Sequence, residues 1–235
     1  VAAAALLLYC ACSQIAAQNP PPREGVRWSP LLKLSNREEI ADRLARPFGD
    51  VFEGHAHGRK ATISNCNDYL RLSGQGFQTS NMRAGAILEV DAVECVALVI
   101  LRSARAPQAD SLRGFQMNAT ALSLLPPELA PAVSNELVAQ AKAADAAGQS
   151  WQTYVPKATA RVLGPWQLAV SQPGWNTQVT LYALGDLSGS GQEELLMRAD
   201  YRVQQGTYAN SRLFLLTRGA HVNSRLRLIR EVPVP

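Results

Sequence analysis

Residues 177–218 read TQVTLYALGDLSGSGQEELLMRADYRVQQGTYANSRLFLLTR, and no other stretch limits the fold as much. Val179, Leu181 and Ala183 alternate with Thr180, Tyr182 and Leu184 ahead of a Gly/Ser-rich loop. Leu195-Leu196-Met197, then Tyr201 and Val203, follow it. Leu213 to Leu216 and Leu226 to Ile229 supply further apolar runs, with turn signals at Gln205-Gly206, Ala209-Asn210 and Gly219-Ala220. Apolar runs punctuated in this way predict an antiparallel meander of four to five strands. Gly206 and Gly219 provide the positive φ that tight turns require.

Upstream the pattern changes. Ser35-Asn36-Arg37-Glu38 is a capping-box pattern before Ile40, Ala41 and Leu44, predicting a short amphipathic helix over residues 36–45 that Pro47 stops. Residues 132–147, AVSNELVAQAKAADAA, form helix readily; Val133, Leu137, Val138, Ala141 and Ala144 make one stripe, and Gly148 ends it. The resulting fold class is α+β: an N-terminal disulfide-stapled α/β half, a central helix, and a C-terminal antiparallel meander. The divisions expected are 1–17 signal-like, 18–30 proline-rich spacer, 31–125 disulfide-bearing mixed half, 126–150 helical connector and 151–235 antiparallel sheet half. With 47% hydrophobic and 18% charged residues, the chain is globular rather than disordered.

The start of the chain, VAAAALLL followed by Tyr9-Cys10-Ala11-Cys12, is too short to span a bilayer. It resembles the signal of a bacterial envelope lipoprotein, without the initiating methionine and basic region. That resemblance implies lipidation at Cys12, which follows the small Ala11, and a protein anchored to the membrane in the periplasm. Secretory cleavage after Ala17, leaving Gln18 first and a soluble periplasmic protein, is the alternative. Pro20-Pro21-Pro22 makes a stiff spacer. In an oxidising compartment the remaining pair, Cys66 and Cys95, is expected to form a disulfide rather than supply a thiolate with His55 or His57 as its base. The bridge would tie residues 65–72 to residues 92–101. Periodicity does not separate helix from buried strand in the second segment, although the spacing of Cys95, Leu98, Val99 and Arg102 favours helix.

Chemistry-bearing motifs are sparse. His55 and His57 would share one side of an extended segment, which suits a metal. Further ligands would have to come from Asp50, Glu53 or His221, and the flanking Gly54 and Gly58 favour a plain flexible loop. Asp186-x-Ser188-x-Ser190-Gly191-x-x-Glu194 resembles the aspartate-rich calcium loops of propeller-type repeats and of related hairpins in envelope proteins, which direct oxygens at these offsets toward one calcium. Calcium takes six to eight oxygens, usually with several carboxylates, and serines occupy the two middle carboxylate positions here. The expectation is therefore a loop held without metal, with Asp186 accepting backbone N–H groups and Gly189 and Gly191 in turn conformations. No second copy occurs, which argues against a propeller.

For binding, two feature sets stand out. Trp151, Tyr154, Trp166 and Trp175 lie among Pro156, Pro165 and Pro173, either as a contact platform or as the seal on a sheet edge. Arg198, Arg202, Arg225 and Arg227 belong to the meander, with Arg225 and Arg227 expected on one face, ready to dock an acidic partner or simply solvated. A net charge of +4 without basic tails does not call for nucleic acid. GxSxG, HExxH and phosphate-loop motifs are absent, and no cofactor is expected. The function these residues point to is a non-enzymatic envelope protein that binds another envelope or secreted protein, in its most specific form an inhibitor or immunity protein against a secreted toxin or hydrolase. The alternatives are a structural envelope lipoprotein, or a wall-modifying hydrolase using Glu89 with Asp91 or Glu193 with Glu194.

Overall fold

The computed structural model describes residues 25–112, 114–219 and 224–235. Cys10, Cys12, the cleavage point after Ala17, the Pro20–Pro22 spacer and His221 lie outside the described residues, as does the second residue of the Gly219-Ala220 turn.

The chain is α+β. After β1 (Arg27–Trp28) come α1 (Glu39–Ala45), the hairpin β2 (Pro47–Ala56) and β3 (Arg59–Asn65), α2 (Cys66–Ser73), β4 (Gln78–Thr79) and the long α3 (Met82–Ser103). The second part holds α4 (Asn135–Ala146), α5 (Trp151–Tyr154) and six strands: β5 (Thr159–Gly164), β6 (Gln167–Gln172), β7 (Trp175–Gly185), β8 (Glu194–Val203), β9 (Ala209–Arg218) and β10 (Leu226–Val232). β5 to β10 form an antiparallel meander in chain order. β1 makes it seven-stranded by pairing Arg27 with Leu184 and Trp28 with Ala183, beyond the point where β6 leaves β7. The meander therefore exceeds the four to five strands expected, because the aromatic, proline-containing stretch contributes the further hairpin β5–β6.

A second sheet, β3-β2-β4, also goes beyond the expectation. Gly54-His55-Ala56-His57-Gly58 is not a flexible loop. It is the end of β2 and a tight turn, with His57 at φ 49° and Gly58 at φ 74°. Two consecutive positive φ values are what a two-residue hairpin turn of matching twist needs. Gly54 is required for a different reason: a Cβ there would stand 2.0 Å from the Gln78 carbonyl oxygen. α1 starts later than expected, at Glu39, and the expected capping box does not form: Asn36 and Glu39 brace the turn ahead of the helix instead. Asn36 Oδ1 accepts the Glu39 N–H at 3.1 Å, and the Glu39 carboxylate accepts the Ser35 N–H at 2.9 Å.

The core lies on both faces of the large sheet. On one face Tyr182, Leu196, Leu213, Leu215 and Val232 join Ile40, Leu44, Leu72, Val93, Leu98 and Leu101 of α1, α2 and α3. On the other, Leu181, Leu195, Met197, Phe214 and Leu216 pack under Leu112, Met117, Leu125, Leu129 and Trp151. Burial on both faces explains the near-continuous apolar runs of β7, β8 and β9. Cys66, first residue of α2, is bridged to Cys95 in the middle of α3, so the segment ambiguous in the sequence is helix. α3 begins at an Asn81 cap that accepts the Ala84 N–H at 2.8 Å. Its later turns are buried, whereas Met82 is 92% exposed and Ile87 and Val90 are 38% and 39% exposed. The helix tip overhangs the sheet without being covered.

Candidate functional site

The two feature sets singled out in the sequence do not form one surface. Trp151 is fully buried, and its indole N–H donates to Gln172 Oε1 at 2.9 Å; it is a core residue, not a contact residue. Tyr154, Trp166 and Trp175 are half-buried against that same core, and Trp175 meets the Tyr208 ring edge-on with centroids 5.8 Å apart. Side chains alternate along β7, which places Trp175 on the face of Val179 and Leu181. Arg198, Arg202 and Asp200 stand opposite Thr180, Asn176 and Gln178, on the other face. Arg225 precedes β10 and is held by the Asp145 carboxylate and, at 3.1 Å, by the Asp145 carbonyl of α4. It is a structural tie, whereas Arg227 lies within β10 and is exposed.

What the structure assembles instead is a polar trough. α3 covers only part of its face of the large sheet. The uncovered part is lined by Thr159, Arg161, Ser171, Asn176, Gln178, Arg198, Asp200, Arg202 and Ser211, with Val90 of α3 as one wall, enclosing about 790 Å³. Arg198 organises its floor. It donates to Asp200 at 2.7 Å, to the Tyr182 hydroxyl at 3.2 Å and to Ser211 at 3.3 Å. Burial opposes its charge, but Tyr182 and Asp200 outweigh burial and raise its pKa above the ordinary guanidinium value. Arg198 is thus fixed and consumed by its neighbours, together with Asp200, the trough's only acid among the described residues. Arg161 and Arg202 are exposed and have no ion-pair partner among the described residues. The trough is a fixed, net-positive concavity that offers guanidinium, amide and hydroxyl groups to an acidic ligand. A second cleft of about 1070 Å³ lies on the other flank of the α3 tip, between that helix and β9–β10, and shares Asn210 and Ser211 with the trough.

Arg161, Asn176, Gln178 and the α3 tip were missed in the sequence. The signal was present as polar residues at every second position, Asn176 and Gln178 in one strand, Arg198, Asp200 and Arg202 in the next. Only the register shows that they meet.

The carboxylate pairs a hydrolase would need do not converge. Glu89 lines the α3–β10 cleft, whereas Asp91 faces Glu94 and Arg43 on another side of the helix. Burial raises the Asp91 pKa, and Glu94 adds to it. Glu193 and Glu194 are consecutive but serve separate networks. Glu193 accepts the Leu112 N–H at 2.5 Å and Arg27 at 3.1 Å. Burial is the largest influence on it and raises its pKa, with Asp110 pushing the same way.

Glu194 holds the 186–194 loop. Its carboxylate accepts the N–H groups of Leu187 and Ser188 at 3.0 and 2.8 Å, and the hydroxyls of Ser188 and Ser190 at 2.6 and 3.1 Å. The acceptor expected in that role, Asp186, does something else. Its main chain pairs with Arg105, and its buried Oδ1 has no hydrogen-bond partner. Gly189 and Gly191 take positive φ, at 81° and 79°. Among the described residues no group of three or more His, Cys, Asp or Glu is placed to hold a metal ion. Glu194→Gln should destabilise the chain by about 1–3 kcal/mol, because an amide cannot accept all four donors. Urea unfolding measures this, and an unchanged midpoint would show that the loop closes without the carboxylate.

No family model, curated protein or solved structure matches the chain.

Proposed function

We propose that this is a non-enzymatic, protein-binding component of a bacterial envelope, docking an acidic partner over the trough and the α3 tip, as an inhibitor or immunity protein would. The observation that carries the reading is the pair of exposed guanidiniums of Arg161 and Arg202, without an ion-pair partner among the described residues, in a trough whose α3 wall is the exposed Val90. Ile87 and Val90, three apart, share a helix face. Apolar area beside arginines and satisfied polar groups has the composition of an interface rather than of an ordinary solvated surface. Among the described residues, the trough's one aromatic lining residue, Tyr201, turns its hydroxyl to the Leu129 carbonyl on the opposite face of the sheet, and the trough's one acid is tied to Arg198 and Ser211. The separation of Glu89 from Asp91, and of Glu193 from Glu194, weighs against the hydrolase alternative. A buried disulfide suits the oxidising compartment that the signal-like start implies.

The test is capture from an envelope extract on the immobilised full chain, alongside Arg161→Glu/Arg202→Glu. The expected result is an acidic protein whose association with the parent chain slows as salt rises. Charge reversal should slow it roughly tenfold or more at low ionic strength and flatten the salt dependence. Capture equal in both chains at every salt concentration would refute docking on this face.

A further inference from the structure

We infer that the partner engages the chain by adding a strand to the outer edge of β5. This rests on the proposed acidic-partner reading and specifies how that partner is held. β5 is the last strand in the sheet order and, among the described residues, pairs only with β6. Its sequence, TARVLG, contains neither proline nor lysine, and Val162 and Leu163 are 44% and 39% exposed. Sheet edges are ordinarily blunted by charge, proline, bulges or a covering element, because their free N–H and C=O groups template pairing. At β5 the blunting amounts to Arg161 and one irregularity between Val162 and Gly164. The opposite edge, β10, is protected more heavily. It carries Arg227, Arg230 and Glu231, with Glu231 clamped by Arg212.

The position of this edge indicates the occupant. β5 forms one side of the trough: Thr159 and Arg161 line it, and Arg161 lies opposite Ala169 on β6. Side chains of an added strand would alternate between the two sheet faces. One row would stand over the trough beside Arg161, where carboxylates are favoured. The other would stand beside Val162, where apolar groups are favoured. The occupant is therefore an extended segment of the acidic partner in which acidic and apolar residues alternate, bound by main-chain hydrogen bonds and selected by side chains. A second copy of this chain fits poorly, because pairing β5 with β5 would bring like-charged Arg161 residues close together.

The experiment uses the intact chain and a synthetic peptide of alternating glutamate and valine in three forms. One is unmodified; the other two are N-methylated on alternate residues, in the two possible phases. Binding is read by calorimetry and by amide hydrogen exchange. The unmodified peptide should bind and protect β5 amides. One methylated form should lose affinity by about tenfold or more, because it removes the N–H groups facing the edge, while the other binds within about twofold. Equal binding by both methylated forms overturns the edge proposal, as do protection of β10 instead of β5, absence of peptide binding, and concentration-dependent dimerisation that protects β5. The two readings fail separately. Binding lost in Arg161→Glu/Arg202→Glu but indifferent to methylation phase keeps the acidic docking face and removes the added strand. Phase-sensitive binding that ignores the arginines keeps the strand and removes the acidic partner.

Discussion

Trp151→Ala should lower the stability of the folded chain by about 3–5 kcal/mol, the range for truncating a fully buried large aromatic side chain. Trp151 is 0% exposed and packs in the core under the large sheet with Leu125, Leu129, Leu168 and Val170. Three anchors fix it there. Its main-chain N–H donates to the Leu125 carbonyl at 2.8 Å, and its indole N–H to Gln172 Oε1 at 2.9 Å. A capping box between Ser150 and Thr153 sets the short helix that carries it. Truncation leaves a cavity and also strips Gln172, itself only 8% exposed, of its buried partner. Trp151→Phe separates the two effects, since it keeps most of the apolar volume and loses the donor; it should cost about 1–3 kcal/mol. Urea unfolding of both variants gives the numbers, and partner binding by the folded fraction should be unchanged. A loss below about 1 kcal/mol accompanied by loss of binding would move Trp151 from the core to the interface. Trp175→Ala should cost less than Trp151→Ala, because Trp175 is half-buried and keeps only an edge-on contact with Tyr208 on its outer side.

The contrast between these tryptophans shows where sequence reasoning succeeds and where it stops. Alternation and turn residues are local properties, so the meander from Val179 to Ile229 was legible, as was the helix of residues 132–147, whose observed core, α4, is capped by Ser134. The Cys66–Cys95 bridge was legible because the other two cysteines, Cys10 and Cys12, fall in the signal-like start, which leaves one pair to match. Depth was not legible. Trp151 and Trp175 occur in similar proline-flanked surroundings, but Trp151 is buried in the core with residues of the segment 114–130, whereas Trp175 only packs against its margin. That segment has no regular period to read. Register was not legible either. Arg198 and Arg202 look equivalent four positions apart in one strand, yet Arg198 meets Asp200, Ser211 and Tyr182 while Arg202 meets solvent. Arg161, some forty residues earlier, joins them only because β5, β6, β7 and β8 lie side by side. In the 186–194 loop the expected acceptor, Asp186, was the wrong carboxylate. A carboxylate does gather the loop's donors, but it is the last one, Glu194, because its strand turns it back under the Ser188 and Ser190 hydroxyls.

Replacing both Cys66 and Cys95 by alanine should cost about 3–4 kcal/mol, chiefly by releasing the unfolded chain from a closed loop. The bridge spans a sequence separation of 29 residues, with Cα atoms 5.1 Å apart. It joins the first turn of α2 to the middle of α3, and both half-cystines are buried, at 4% and 0% exposure. Around them Tyr69, Leu72, Leu98 and Leu101 form the part of the core that holds α3 against the large sheet. Loss of the bridge should therefore be felt at the α3 tip, the wall shared by the trough and the neighbouring cleft. Urea unfolding with and without reductant separates the cross-link from the packing of the substituted side chains. Reductant should lower the stability of the parent chain to near that of the double variant, and should leave the variant unchanged. A domain of this size has a total stability of only about 5–15 kcal/mol, so the bridge decides a large fraction of it. The same magnitude bears on location. A chain that loses this much in a reducing compartment is suited to fold outside it, which is the setting the envelope proposal requires. Stability that reductant shifts by less than about 1 kcal/mol would remove that support and leave the proposed location resting on the signal-like start alone.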